Sequence, residues 1–163
     1  MRIQPSSLRL DSDPVLLHRV LLNLVSNAVQ HAQRDSLLVV CRPLHGQLLA
    51  RIEVLDSGIG MALTHHEKVF DEFFQIDNPQ RDRAKGLGLG LRLVARVCDL
   101  LGHRLTLRSG LGCGTRFTVA VPCAPAPPAS ADAGFAAEQL EITELAGVRV
   151  LLIEDDASGS LAL

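Results

Sequence analysis

The chain has 163 residues and a mass of 17.6 kDa, about the size of one domain. With 47% hydrophobic and 21% charged residues it has the composition of a folded globular protein, and no apolar run reaches the roughly 18–20 residues of a membrane span. A formal net charge of −2, with five Phe and no Tyr or Trp, argues against a nucleic-acid binder built on a basic footprint or on aromatic stacking platforms.

The first segment, MRIQPSSLRL, lacks the apolar stretch of a signal peptide. Residues 6–11 suit a short edge strand. Asp13 then reads as an N-cap with Pro14 at the first helical position. The helix is expected to run to about Ala32, with Leu17, Leu21, Leu24 and Ala28 on its apolar face. Residues 37–41 and 48–55 are apolar and β-branched around the turn signal His45-Gly46, which predicts an antiparallel hairpin. Residues 61–86 are polar and irregular, with at most a short helix around 64–70. So long a connection suits a lid. His65-His66 in it reads as a solvated helix start.

A second helix is expected over 88–101, with Val94, Val97 and Leu101 on one stripe and Gly102 as its stop. Residues 104–109 and 115–121 alternate and predict a second hairpin. The element order implies an α/β fold: a mixed sheet with helices on one face. The cysteines Cys41, Cys98, Cys113 and Cys123 form no C-x-x-C pair and read as reduced thiols.

Four short motifs carry chemistry. Asn23 and Asn27 in LLNLVSNAVQHA lie one helical turn apart on one face, continued by Gln30. An amide oxygen is a hard ligand that can complete a Mg²⁺ site together with nucleotide phosphates. A polar solvent face is the plainer reading. Asp56-Ser-Gly-Ile-Gly60 ends a strand. Asp56 can accept the exocyclic amine proton of adenine, and Gly58 and Gly60 let backbone approach a flat ligand, although an ordinary Asp-Ser-Gly turn would look the same. Lys85-Gly-Leu-Gly-Leu-Gly-Leu91 opens the second helix. Its glycines can turn N–H groups toward phosphate, and its spacing fits neither the P-loop nor the dinucleotide fingerprint. Gly112-Cys-Gly-Thr115 joins the last two strands, with the Thr115 hydroxyl in reach of Asp56 or of a water at the base. Phe70, Phe73 and Phe74 have the spacing of one helical turn and read as the anchor of the lid or as plain core.

Taken in order, NLVSNA, DSGIG, FDEFF, GLGLGL and the terminal Gly-x-Gly-Thr resemble the boxes of the histidine-kinase ATP-binding domain, over roughly residues 5–122. That family belongs with the gyrase, mismatch-repair and chaperone ATPases. The resemblance implies a two-layer α/β sandwich, the Bergerat fold, with a mixed, mostly antiparallel sheet and helices on one face. It implies ATP and Mg²⁺ as cofactors. Asn27 would hold the Mg²⁺. Asn23 falls where gyrase-type relatives carry a water-activating Glu, which an amide cannot replace, so transfer to a protein is favoured over hydrolysis. Asp56 would read adenine beside Gly58 and Gly60, with Thr115 in support. Gly86, Gly88 and Gly90, with Leu87 and Leu89 between them, would line the phosphates, and Phe70 would belong to the nucleotide site. Arg81, Arg83 and Lys85 would face the γ-phosphate, Lys85 with a catalytic part. Gln30 stands where the family usually has a phosphate-facing Lys, His31 where an aromatic often covers the nucleotide, and Leu87 where Thr or Ser is common. An ATPase or an anti-sigma-type serine kinase of the same superfamily, or a degenerate interaction module, are the rival readings.

Residues 1–122 carry 15 Lys/Arg against 11 Asp/Glu, whereas 123–163 carry one against seven. Residues 123–146 are rich in Pro, Ala and Ser and read as a linker. Within 147–163, VRVLLIEDD resembles the first strand of a response-regulator receiver domain, with Glu154 and Asp155 as its acidic pair. A lone parallel strand cannot bury itself, so this tail is expected to be disordered or loosely docked. No His has the context of the family's phosphoacceptor. The expectation is therefore the catalytic piece of a hybrid sensor kinase, cytoplasmic and mainly monomeric. Its partners would be a dimerisation and phosphoacceptor domain and a downstream receiver or response regulator, with no nucleic acid and no membrane contact.

Overall fold

The computed structural model describes residues 8–31, 36–44, 48–76, 88–124 and 149–154. Helix α1 spans Pro14–His31. It starts as its sequence dictates: the Asp13 carboxylate accepts the Leu16 N–H at 2.8 Å, and Pro14 occupies the first helical position, where no N–H is needed. Replacing Asp13 with alanine is expected to cost about 1 kcal/mol of folding stability, read from urea denaturation midpoints. A change of only a few tenths would mean the cap is dispensable.

Strands β1 (Ser36–Pro43) and β2 (Leu49–Asp56) form the first hairpin. In place of a short helix, Leu63–His65 and Lys68–Phe70 form two separate 3₁₀ turns. Helix α2 spans Gly90–Leu101 and stops at Gly102, whose φ of 69° lets its N–H reach Asp99 O while the His103 N–H reaches Cys98 O. Strands β3 (Arg104–Ser109) and β4 (Thr115–Pro122) form the second hairpin. The expected strand at 6–11 reduces, in its described part, to a bridge between Leu10 and Cys123. The four cysteines are free thiols, and burial, with help from the Asp99 charge, pushes the Cys98 thiol up to about 11.

The sheet order is β3-β4-β2-β1-β5, antiparallel throughout except for β5 (Arg149–Glu154), which runs parallel to β1. The alternation of side chains explains the layering. Ile52 and Val54 of β2 and Phe117, Val119 and Val121 of β4 face one side and are buried against Leu17, Val20, Leu24 and Ala28 of α1 and Val94, Val97 and Cys98 of α2. This is the expected mixed, mostly antiparallel sheet with both helices on one face, and it places the C-terminus of β2 between the two helices' layer and the β3–β4 turn. His103, at the end of α2, is buried and shares a 2.7 Å hydrogen bond with Ser12 Oγ, joining that end to the entry of α1. Among the described residues no helix is long and apolar enough to cross a membrane.

Within the tail expected to be disordered or loosely docked, residues 149–154 form strand β5. It aligns Ser36 with Arg149 and Cys41 with Glu154 on the outer edge of β1. The reason is available in the fold: without it, β1 would present a row of unpaired N–H and C=O groups.

Candidate functional site

A cavity of about 540 Å³ lies between α1, α2, the loop after β2 and the segment around Phe74. From α1 it receives Asn23, Ser26, Asn27, Gln30 and His31, on the flank of the helix beside the core residues Leu17, Val20, Leu24 and Ala28. The Asn23 Nδ2 donates to the Arg19 carbonyl at 2.8 Å. That bond fixes the amide so that Oδ1 is the atom nearest Gly90, where an added Cβ would lie 3.0 Å from it. Asn27 lines the same wall one turn on. The donor set is therefore amide oxygens. Among the described residues no three His, Cys, Asp or Glu side chains converge as a metal cage.

From α2 the cavity receives Gly88, Leu89, Gly90 and Leu91. Leu89 caps α2 without a side-chain hydrogen bond, so the first N–H groups of the helix gain no partner from their cap residue. Gly88 has φ +67°, and an added Cβ would meet the Phe74 carbonyl at 2.9 Å. The backbone of the Phe segment thus sits directly on the glycine turn.

Asp56 ends β2 opposite Thr115 of β4 and is 9% exposed. Its Oδ1 accepts the Gly58 N–H at 2.8 Å. Burial pushes the Asp56 carboxyl above its ordinary value, opposed by the Gly58 and Thr115 backbone N–H groups and by the charge of His31. Asp56 and Gly58 do not themselves line the cavity. They reach it through Thr115 and Gly60, which do. Gly58 has a packing reason to be glycine, since a Cβ there would meet the His31 carbonyl and lie 2.8 Å from Asp56 Oδ1.

Several expectations are corrected by this geometry. The Thr115 hydroxyl lies 3.1 Å from Ser109 Oγ, and the link from Thr115 to Asp56 is made by its backbone. Ser109, which the sequence reading passed over, also donates to Gly114 O at 2.8 Å and accepts the Met61 N–H at 2.9 Å. Phe70 does not line the cavity. It packs edge-on against core Phe117 with ring centroids 6.5 Å apart, and Phe74 lines the cavity in its place. Phe73 has φ 63° and is 62% exposed, so the three rings are not one helical turn. His65 is half-buried with its ring 5.7 Å from Phe74, not solvated. Arg81, Arg83, Lys85, Gly86 and Leu87 lie outside the described residues. Ile59, Met61, Val69, Gln75 and Ile76 complete the lining and went unnoticed in the sequence: Ile59 is the apolar residue within the Asp56–Gly60 motif, and the others are ordinary apolar or polar residues outside the motifs.

Residues 12–125 match the family described as histidine kinase-, DNA gyrase B- and HSP90-like ATPase. The sensor-like histidine kinase SenX3 of Mycobacterium tuberculosis is 41% identical over 118 residues, covering 72% of this chain and 28% of that protein. The autoinducer 2 sensor kinase/phosphatase LuxQ of Vibrio cholerae is 32% identical over 113 residues, covering 68% and 13%. The chain spans about a third or less of the length of curated relatives that it matches. Among solved structures, full-length ShkA in complex with AMPPNP superposes with a TM-score of 0.58 at 29% identity, covering 69% of this chain and 22% of ShkA. The mycobacterial sensor histidine kinase MprB superposes with a TM-score of 0.57 at 26% identity, covering 70% and 74%.

Proposed function

We propose that this chain, which belongs to the histidine kinase-, DNA gyrase B- and HSP90-like ATPase family, binds Mg-ATP in the cavity between α1 and α2 and serves as the catalytic domain of a sensor histidine kinase. The observation that carries this reading is the convergence of three sequence-distant motifs, around Asn27, Gly60 and Gly88, on one 540 Å³ cavity. The sensor kinases among its relatives and the AMPPNP-bound ShkA structure support it.

In this reading Asp56 accepts the amine proton of adenine, with Gly60 and Thr115 beside it. The uncapped start of α2, with Gly88 and Gly90, faces the phosphates, where N–H groups and the helix dipole favour anions. The amide oxygens of Asn27 and Asn23 fit a cation that takes its other ligands from phosphate and water, as Mg²⁺ does. That ion would neutralise charge that develops on the transferring phosphoryl group. With an amide at Asn23, the described residues of the wall include no carboxylate to activate water, which favours transfer to a His nitrogen on another domain. Lys85, Arg81 and Arg83 are proposed to face the γ-phosphate. Residues 123–146 are proposed to be a linker and 147–163 the start of a receiver domain, within a hybrid kinase acting in the cytoplasm.

Titration of Mg-ATP and Mg-ADP into the purified chain tests this reading. Binding of both is expected, weakened about tenfold or more by Asn27→Ala through loss of a bond to a charged partner. No binding of either nucleotide overturns the reading in favour of a degenerate module, and rapid ATP turnover by the chain alone would favour a hydrolase.

A further inference from the structure

The register of the sheet sets three polar side chains in one transverse row beside the cavity. Asp56 of β2 pairs with Thr115 of β4, and Thr115 pairs in turn with Ser109 of β3. Residues directly opposite each other project to the same face of a sheet, and here it is the helix side, shared with the core residues Val54 and Phe117 two positions along. Asp56 and Thr115 are buried, and Thr115 lines the cavity. Ser109 is half-buried and lies outside the lining.

A serine hydroxyl has one proton to give and two lone pairs to receive with. Ser109 uses all three. Its proton goes to the carbonyl of buried Gly114 at 2.8 Å, an atom that can only accept. One lone pair takes the Met61 N–H at 2.9 Å, a group that can only donate. A single lone pair is left, and Thr115 Oγ1 lies 3.1 Å away. That contact is satisfied in one sense: Thr115 donates and Ser109 accepts. With its proton committed to Ser109, the Thr115 hydroxyl keeps only lone pairs for a ligand, and the Asp56 carboxylate next to it in the row is acceptor-only as well. We propose that Ser109 is a specificity-determining residue that, without touching the ligand, fixes Thr115 as an acceptor, so that this end of the cavity selects a base presenting an amine over one presenting a carbonyl oxygen. The inference rests on the nucleotide reading of the cavity. A carbonyl placed against two acceptors is left unpaired, which is how a binding site turns a competitor away.

Calorimetric titration of the full chain with the Mg²⁺ complexes of ATP and of inosine triphosphate tests it, because inosine carries a carbonyl oxygen in place of the adenine amine. The unaltered chain is expected to bind ATP about tenfold or more tightly than inosine triphosphate. In Ser109→Ala the Thr115 proton loses its acceptor and can be donated to that carbonyl. The preference for ATP is then expected to shrink about two- to tenfold, the worth of one neutral hydrogen bond. Ser109→Ala also takes away the Met61 and Gly114 bonds, but a general loosening of the loops lowers both affinities together and leaves their ratio alone. The N1–H of inosine meets both proteins and cancels in the comparison. Thr115→Val supplies the same readout if Ser109→Ala fails to fold, since it removes the lone pairs and spares the bonds of Ser109 to Met61 and Gly114. The preference is expected to narrow there too. An unchanged ratio in either folded variant, with ATP still bound, overturns the role of Ser109 and leaves the nucleotide reading standing. Failure of the unaltered chain to bind either nucleotide overturns both.

Discussion

Replacing Asp56 with asparagine is expected to leave the fold standing while weakening nucleotide binding by about ten- to a hundredfold, the loss of one bond to a buried charged group. The substitution is nearly isosteric. Its amide oxygen can still accept the Gly58 N–H that Asp56 Oδ1 accepts at 2.8 Å. What changes is the second oxygen, where an acceptor becomes an NH₂ donor that the amine of the proposed adenine cannot bond. Isothermal titration with Mg-ATP checks this, and undiminished affinity would remove Asp56 from the site. The same variant carries a pH signature. Burial raises the Asp56 carboxyl above its ordinary value of 3.8, against the opposing Gly58 and Thr115 bonds and the charge of His31. A raised folded value means that the fold prefers the protonated form. Its contribution to stability is then full below pH 3.8 and is lost as pH rises through the folded value. Asparagine, which never ionises, should therefore make the ligand-free protein more stable at neutral pH, with the difference closing in acid. Denaturation curves across that range decide it, and a less stable variant at neutral pH would show that the ionised carboxylate stabilises the fold.

Gly60→Ala is expected to destabilise the protein by about 2–5 kcal/mol, combining left-handed backbone strain of about 1–2 with overpacking of about 1–3. Gly60 has φ +64°. A methyl group there would run into the Gly110 carbonyl and lie 3.0 Å from the Gly114 carbonyl. Neither obstacle is the flexible end of a side chain. Both belong to the β3–β4 turn, which is clamped to this loop by the Gly112 N–H donating to Ile59 O at 2.7 Å and by the Met61 N–H donating to Ser109 Oγ at 2.9 Å. Relief therefore requires the two loops to part, which would open the cavity beside Thr115. Urea denaturation gives the stability change, and a loss below about 1 kcal/mol would mean that the loops yield.

The helices were readable from the chain because their signals are local. Asp13-Pro14 opens α1, Gly102 closes α2, and the apolar spacing between names the buried face. The two hairpins followed from alternation and turn residues, while the β2–β4 pairing that joins them into one sheet was not legible there. The motif residues also found one another, since Asn23, Asn27, Gly60, Gly88, Gly90 and Thr115 do share a cavity. The failures are tertiary. Periodicity assigned Phe70, Phe73 and Phe74 to one helical turn. The chain leaves that path at Asp71, which is extended, and at Phe73, where φ is positive. One ring therefore goes to the core, one to solvent and one to the cavity. Ser109 escaped notice because its bonds to Thr115, Gly114 and Met61 are made by proximity across a turn, which no motif spacing encodes. The pairing of β5 with β1 joins residues more than a hundred positions apart, and nothing local in either strand announces it.

The missing cap of α2 has a consequence for motion. Helix α1 finishes its own first turn with Asp13, whereas the cap residue of α2, Leu89, offers the first turn of its helix no side-chain acceptor. Fraying at Gly90 and Leu91 is thus the cheap fluctuation of the ligand-free protein, because no side chain of the cap residue has to be released for it to occur. An anion seated there would act as the cap that the sequence omits. It would order the end of the helix that carries Val94, Val97 and Cys98 into the core, and raise the melting temperature by stiffening a segment already in place.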